Sequence, residues 1–228
     1  MLGKFSLEDI IIKVLPGGFF LAILYYLYGQ DFPFELSKNF DFLYTFVFFC
    51  IAFITGEILQ TLAHQLEKLV DIFFKLRRPS EVFLYANNPV LKNKNIRIEL
   101  LDYLKLTKEQ SNIFSIYYCD LPFLKFWKIN KEDNAVSQSI FWRLYSNVSE
   151  NEEVKTSNRG YLFVRVIVIV FLILGICFFI ESNVLIGLIC ALLFWIFLWR
   201  CRGYARGLVF KVVLLNLKLK FNEKNSNI

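Results

Sequence analysis

Apolar residues run almost without interruption from 42 to 56 (FLYTFVFFCIAFITG), and the stretch from there to 75 turns amphipathic. At 100° per residue Glu57, Thr61, His64, Lys68, Asp71 and Lys75 fall within about 40° of one line, with Ile58, Leu62, Leu66, Leu69, Val70 and Phe73 opposite. One helix over 42–77 is expected, beginning as a membrane span and ending as a rod. Its leucine face should be packed, and its polar stripe should meet solvent or an oligomer axis. Pro79 ends it, because proline disfavours helix in the residue before it.

A bilayer core of ~30 Å needs about 20 apolar helical residues. Four stretches qualify, 10–28, 42–59, 161–180 and 184–199, the last with snorkelling Arg200 and Arg202 and interfacial Trp195 and Trp199. The expected fold is an all-α membrane protein of four transmembrane helices in two hairpins, with a helical cytoplasmic insert between the second and third. The divisions are a first hairpin (1–60), a stalk and insert (61–160), a second hairpin (161–200) and a basic tail (201–228). Pro16-Gly17-Gly18 should separate an interfacial helix over 7–15 from the first span.

In the insert, Ser80 is placed to cap a helix over 81–85, and Asn87-Asn88-Pro89 marks a turn. Asn95 opens a helix over 96–106 with Ile98, Leu101 and Leu104 as its apolar face. Thr107-Lys-Glu-Gln110 is a capping box leading into 111–119. Phe123, Phe126 and Trp127 form an aromatic cluster, and 131–144 reads as a last amphipathic helix. The polar segment 146–158 reads as a mobile linker. Beyond the fourth span, 202–221 sets Arg206, Lys211, Lys218 and Lys220 among Val and Leu, either on anionic lipid or packed against 62–73. The Asn/Lys-rich end from 221 reads as disordered.

A hydrophobic content of 56%, with 18% aromatic residues and positive mean hydropathy, agrees with a membrane protein. Lys38 is the one base in the connections 29–41 and 181–183, against Asp31, Glu35, Asp41 and Glu181; the other 25 of the 26 Lys and Arg lie elsewhere. The positive-inside rule then places both termini and the insert in the cytoplasm. The five cysteines, Cys50, Cys119, Cys177, Cys190 and Cys201, form no CxxC pair and read as small apolar residues. Asn147-Val-Ser149 fits a glycosylation acceptor but falls on the cytoplasmic side.

Catalytic patterns are missing. Cys50 and the single histidine, His64, lie ~21 Å apart along one helix, too far for a nucleophile and base. No Cys/His cluster has metal spacing, and no phosphate loop, GxSxG or HExxH is present. The chain reads as a non-enzyme without cofactor or metal. The candidate functional residues are the intramembrane polar groups Glu57, Arg165 and His64, with Glu57 and Arg165 as potential partners, and the basic run Arg200, Arg202, Arg206 and Lys211 facing the membrane surface or a partner. The insert 61–160 nets only +3, and its aromatics, interleaved with Lys125, Lys128 and Arg143, suit a core better than a nucleic-acid platform.

Leu15-Pro16-Gly17 opening the first span, Gly56-Glu57 closing the second, Phe141-Trp-Arg-Leu-Tyr145 before the third and the basic Arg200-Cys-Arg-Gly-Tyr-Ala-Arg206 after the fourth make a recognisable layout. It resembles the small multi-spanning membrane proteins found beside bacterial antiviral systems, including the accessory membrane proteins of type VI CRISPR loci. That resemblance implies a homo-oligomeric accessory or effector that perturbs the membrane on a cytoplasmic signal, from a defence protein or a nucleic acid or nucleotide. The Arg-x4–6-His signature of HEPN nucleases is absent, which separates this chain from accessories that carry such a domain. The competing expectations are a constitutive channel or transporter subunit and a scaffold that recruits a cytoplasmic partner. Neighbouring genes discriminate: a nuclease or CRISPR gene favours the effector, a metabolic operon the channel or transporter.

Overall fold

The computed structural model describes residues 7–29, 42–73, 78–84, 94–105 and 131–226, and every regular element among them is an α-helix. Seven occur in order: α1 (Leu7–Tyr28), α2 (Phe42–Phe73), α3 (Pro79–Val82), α4 (Lys94–Leu104), α5 (Lys131–Val148), α6 (Glu152–Ile180) and α7 (Val184–Ser226). Among the described residues three helices are long and apolar enough to cross a bilayer, over Thr45–Leu69, Glu152–Ile180 and Val184–Leu219. A fourth apolar helix, Ile12–Tyr28, is shorter. Two compact units result, one from Met1–Glu67 with Arg159–Cys201, the other from Lys68–Asn158 with Arg202–Ile228. The capping box at Thr107, the Phe123–Trp127 cluster and the Asn87 turn lie outside the described residues.

In the first unit α1 and α2 meet backbone to backbone. A Cβ on Gly17 would stand 2.0 Å from the Ala52 carbonyl oxygen, and one on Gly56 would stand 2.1 Å from that of Lys13. Only glycine permits so close a crossing. Helix α1 continues through Pro16, where the sequence suggested a break. The ring removes one N–H from the ladder, a loss that apolar helices tolerate where neighbours enclose the site, and Pro16 is buried.

The same crossing overturns the expected face of α2. Its buried line is Ala52, Gly56, Leu59 and Ala63, at helical spacing, whereas Ile58, Leu62 and Leu69 are 55%, 44% and 51% exposed. Small residues face the neighbouring helices because they let backbones approach, and the large side chains point outward. Leu66, partly buried, packs on both cores of the unit. Those cores draw Val166, Ile169, Val170 and Leu174 from α6, and Cys190, Phe194, Phe197 and Cys201 from α7. Outside them Leu185, Leu188, Leu192 and Ile196 of α7 stay half or more exposed, a surface suited to lipid.

Helices α6 and α7 are joined by a three-residue turn. Ser182 takes φ 59°, its N–H donates to the Phe179 carbonyl (3.2 Å), and the Asn183 N–H donates to Phe178 (2.9 Å). This is a Schellman ending built on serine. The Asn183 carbonyl then accepts from Gly187 (3.0 Å) to start α7.

The second unit is held by Phe83, Leu84, Leu100, Leu104, Phe141, Leu144 and Val154 around Leu208, Val209, Val212, Val213 and Leu217 of α7. The expected tail is thus the second half of a 43-residue helix that reaches Ser226, and among the described residues it packs on the insert helices. Two other expectations change here. Arg78, extended at φ −68° and ψ 142° and without a side-chain cap, precedes Pro79 at the start of α3, so Ser80 is not the cap. In α4 the buried positions are Leu100 and Leu104, while Ile98 is 43% exposed.

The stretch expected as a mobile linker, 146–158, holds the end of α5 and the start of α6. Asn151 caps α6, its Oδ1 accepting from the Glu153 N–H at 2.9 Å. Glu152 and Glu153 occupy the first turn, where negative charge complements the helix dipole. Lys155 reaches back to Glu150 at 2.9 Å and to Glu152 at 3.5 Å, and Val154 is fully buried.

Candidate functional site

Two polar clusters sit on the apolar helices of the first unit. In one, the Lys13 ammonium of α1 pairs with the Glu57 carboxylate of α2. It also stands 5.2 Å from the centre of the Phe53 ring, a cation–π contact. The glycine crossing brings Lys13 there, since the Lys13 carbonyl is the atom that faces Gly56. Glu57 remains 45% accessible and Lys13 20%.

The other cluster joins α2 to α6. Tyr161 donates its O–H to Glu67 Oε1 at 2.5 Å, and Arg165 Nη1 lies 3.7 Å from Glu67 Oε2. The Arg165 guanidinium stands 5.4 Å from the centre of the Tyr161 ring, one turn back along α6. Arg165 is 13% and Glu67 21% accessible, and the Arg165 Nε is buried with no hydrogen-bond partner among the described residues. Glu57 and Glu67 are ten residues apart on α2, so the clusters are separated by ~15 Å along the helix axis.

The expected Glu57–Arg165 pair is therefore replaced by two others, Lys13–Glu57 and Glu67–Arg165. The axial offset explains why: contact between Arg165 and Glu67 leaves Glu57 some three turns away. Lys13, Glu67 and Tyr161 were not singled out by the sequence. The i,i+4 spacing of Tyr161 and Arg165 was the available signal for that half of the cluster. His64 lies on α2 between the clusters, half-buried and engaged in an interaction of its own.

The basic run is divided. Arg200 is exposed in the first unit, whereas Arg202, Arg206 and Lys211 belong to the second. Lys211 donates to Ser157 Oγ at 2.7 Å, and Arg200, Arg202 and Arg206 each have partners. Cys50, Cys177, Cys190 and Cys201 form no disulfide, and no group of three His, Cys, Asp or Glu suited to a metal occurs among the described residues.

Fold and site together define a helical protein with membrane-compatible spans and charge pairs set among apolar side chains. The chain matches no family model, no curated protein and no solved structure.

Proposed function

We propose that this chain is an integral membrane effector that assembles with copies of itself and permeabilises a bacterial inner membrane on a cytoplasmic signal, in an antiviral setting. The observation that carries the reading is Glu57: a carboxylate in the middle of the apolar stretch Thr45–Leu69, paired with Lys13 on one side and still 45% accessible. Facing lipid there is unfavourable, so the accessible side requires water or another protein surface. An assembly that turns this side toward a shared axis meets the requirement and makes an acidic ring favouring cations. The 25-to-1 distribution of bases supports a cytoplasmic placement of both termini.

Liposomes carrying the purified chain, with extract of phage-infected cells as the source of signal, test it. Cation flux is expected, and Glu57→Gln should lower the preference for cations over anions. Liposomes that stay tight, or an unchanged preference in the variant, contradict the pore.

A scaffold that recruits a cytoplasmic partner is the second reading, favoured by Trp142, which is 55% exposed on α5 beside Tyr145, ring centres 5.6 Å apart. Capture of a cytoplasmic protein that is lost in Trp142→Ala, without any flux, would favour it.

A further inference from the structure

We infer that Arg165 anchors a binding site for a phosphate group, supplied by a phospholipid headgroup. The inference needs the membrane setting but not pore formation.

A guanidinium offers five N–H donors and stays charged in any ordinary solution. At Arg165 those donors are poorly used. Its carboxylate partner is at 3.7 Å, outside hydrogen-bond distance, and the other oxygen of Glu67 already accepts from Tyr161 at 2.5 Å. The Nε–H has no acceptor among the described residues. Burying such a group is costly unless an acceptor meets it, and the oxygens of a phosphate match the planar donor fork. Tyr161 closes one face of the guanidinium through its ring.

The level of the site argues for lipid as the source. Phe179 lies against Gly187, and Phe171 stacks on Phe197 at 5.5 Å between ring centres. That antiparallel register sets Arg165 level with the Arg200–Cys201 turn of α7, and Tyr161, Leu198 and Cys201 share one core. Exposed Arg200 follows Trp195 and Trp199, an edge-to-face pair 6.3 Å apart with both rings about half exposed. Tryptophans backed by a base mark the headgroup level of a span. A lipid phosphate is held at that level at high local concentration, which a dissolved anion is not.

The test titrates the detergent-solubilised full chain with phosphatidylglycerol, phosphatidylcholine or diacylglycerol and reads retained lipid by native mass spectrometry. Either phospholipid should be retained and diacylglycerol should not. Arg165→Gln should weaken retention by about ten- to a hundredfold. Arg165→Lys, which keeps a point charge without the fork, should fall between, and circular dichroism confirms that each variant is folded. Equal retention of phospholipid and diacylglycerol, or wild-type retention by Arg165→Lys and by a folded Arg165→Gln, overturns the phosphate site. Inorganic phosphate that binds the protein and displaces the phospholipid overturns the lipid source and assigns the site to a free anion.

Discussion

At Gly56 the missing side chain matters as much as any present one. A Cβ there would meet the Lys13 carbonyl at 2.1 Å, and backbone has little room to yield. Gly56→Ala gains helix propensity worth about 1 kcal/mol. It should nevertheless lower the melting temperature, because overpacking costs about 1–3 kcal/mol or more. Gly203→Ala is the control: a Cβ there meets nothing among the described residues, and thermal stability should hold or rise. In the second unit Asn216, 1% exposed, donates to the carbonyls of Leu144 (2.9 Å) and Val212 (2.8 Å) and accepts from Asn147 (3.2 Å). Asn216→Ala should cost about 1–3 kcal/mol in denaturant unfolding, the range for losing buried hydrogen bonds. Burial, and after it the Glu150 carboxylate, raise the Tyr145 phenol above its usual value of 10.0. A phenol raised by folding contributes stability below its unfolded pKa, and that contribution is lost as pH climbs through the folded one. Melting temperature should therefore fall with rising pH above about 10, and Tyr145→Phe should flatten that decline.

Among the elements, those with long apolar runs were legible in advance and those set by local capping were not. The continuous α2, the α6–α7 hairpin and α5 followed from hydrophobic length and period. Pro16 signals a break by itself, but a proline in an apolar helix weighs less when neighbours enclose it, and the polar Asn151-Glu-Glu serves as a cap with an acidic first turn. The inward face of α2 was misassigned for a physical reason: hydrophobicity selects the core face of a helix in water, but lipid is as apolar as leucine. Small residues then mark the packed side instead. Ile58→Asn should consequently leave the fold of detergent-solubilised protein largely intact, whereas Ala63→Asn, at a position 2% exposed, should unfold it; circular dichroism melting separates the two. As for the site, Glu57 and Arg165 were visible as charges in apolar runs, but their partners were not. Partner choice depends on the axial offset between helices, which no single segment encodes.

For the whole molecule, the orientation inferred from charge can be checked by cysteine labelling in intact cells. Position 37 should react with an impermeant reagent from outside, and position 139 should not; Ser139 serves better than Ser137, which is fully buried. Labelling of 139 from outside would reverse the topology. The proposed pore requires that the accessible side of Glu57 meet water within the membrane while its neighbour Ile58, 55% exposed, meets lipid. Cysteines placed singly at 57 and 58, after replacement of the five native ones, test this most directly in proteoliposomes treated with a charged, membrane-impermeant thiol reagent. Rapid modification is expected at 57 under conditions of ion flux, and little at 58. Equal protection of both positions while ions flow would contradict it.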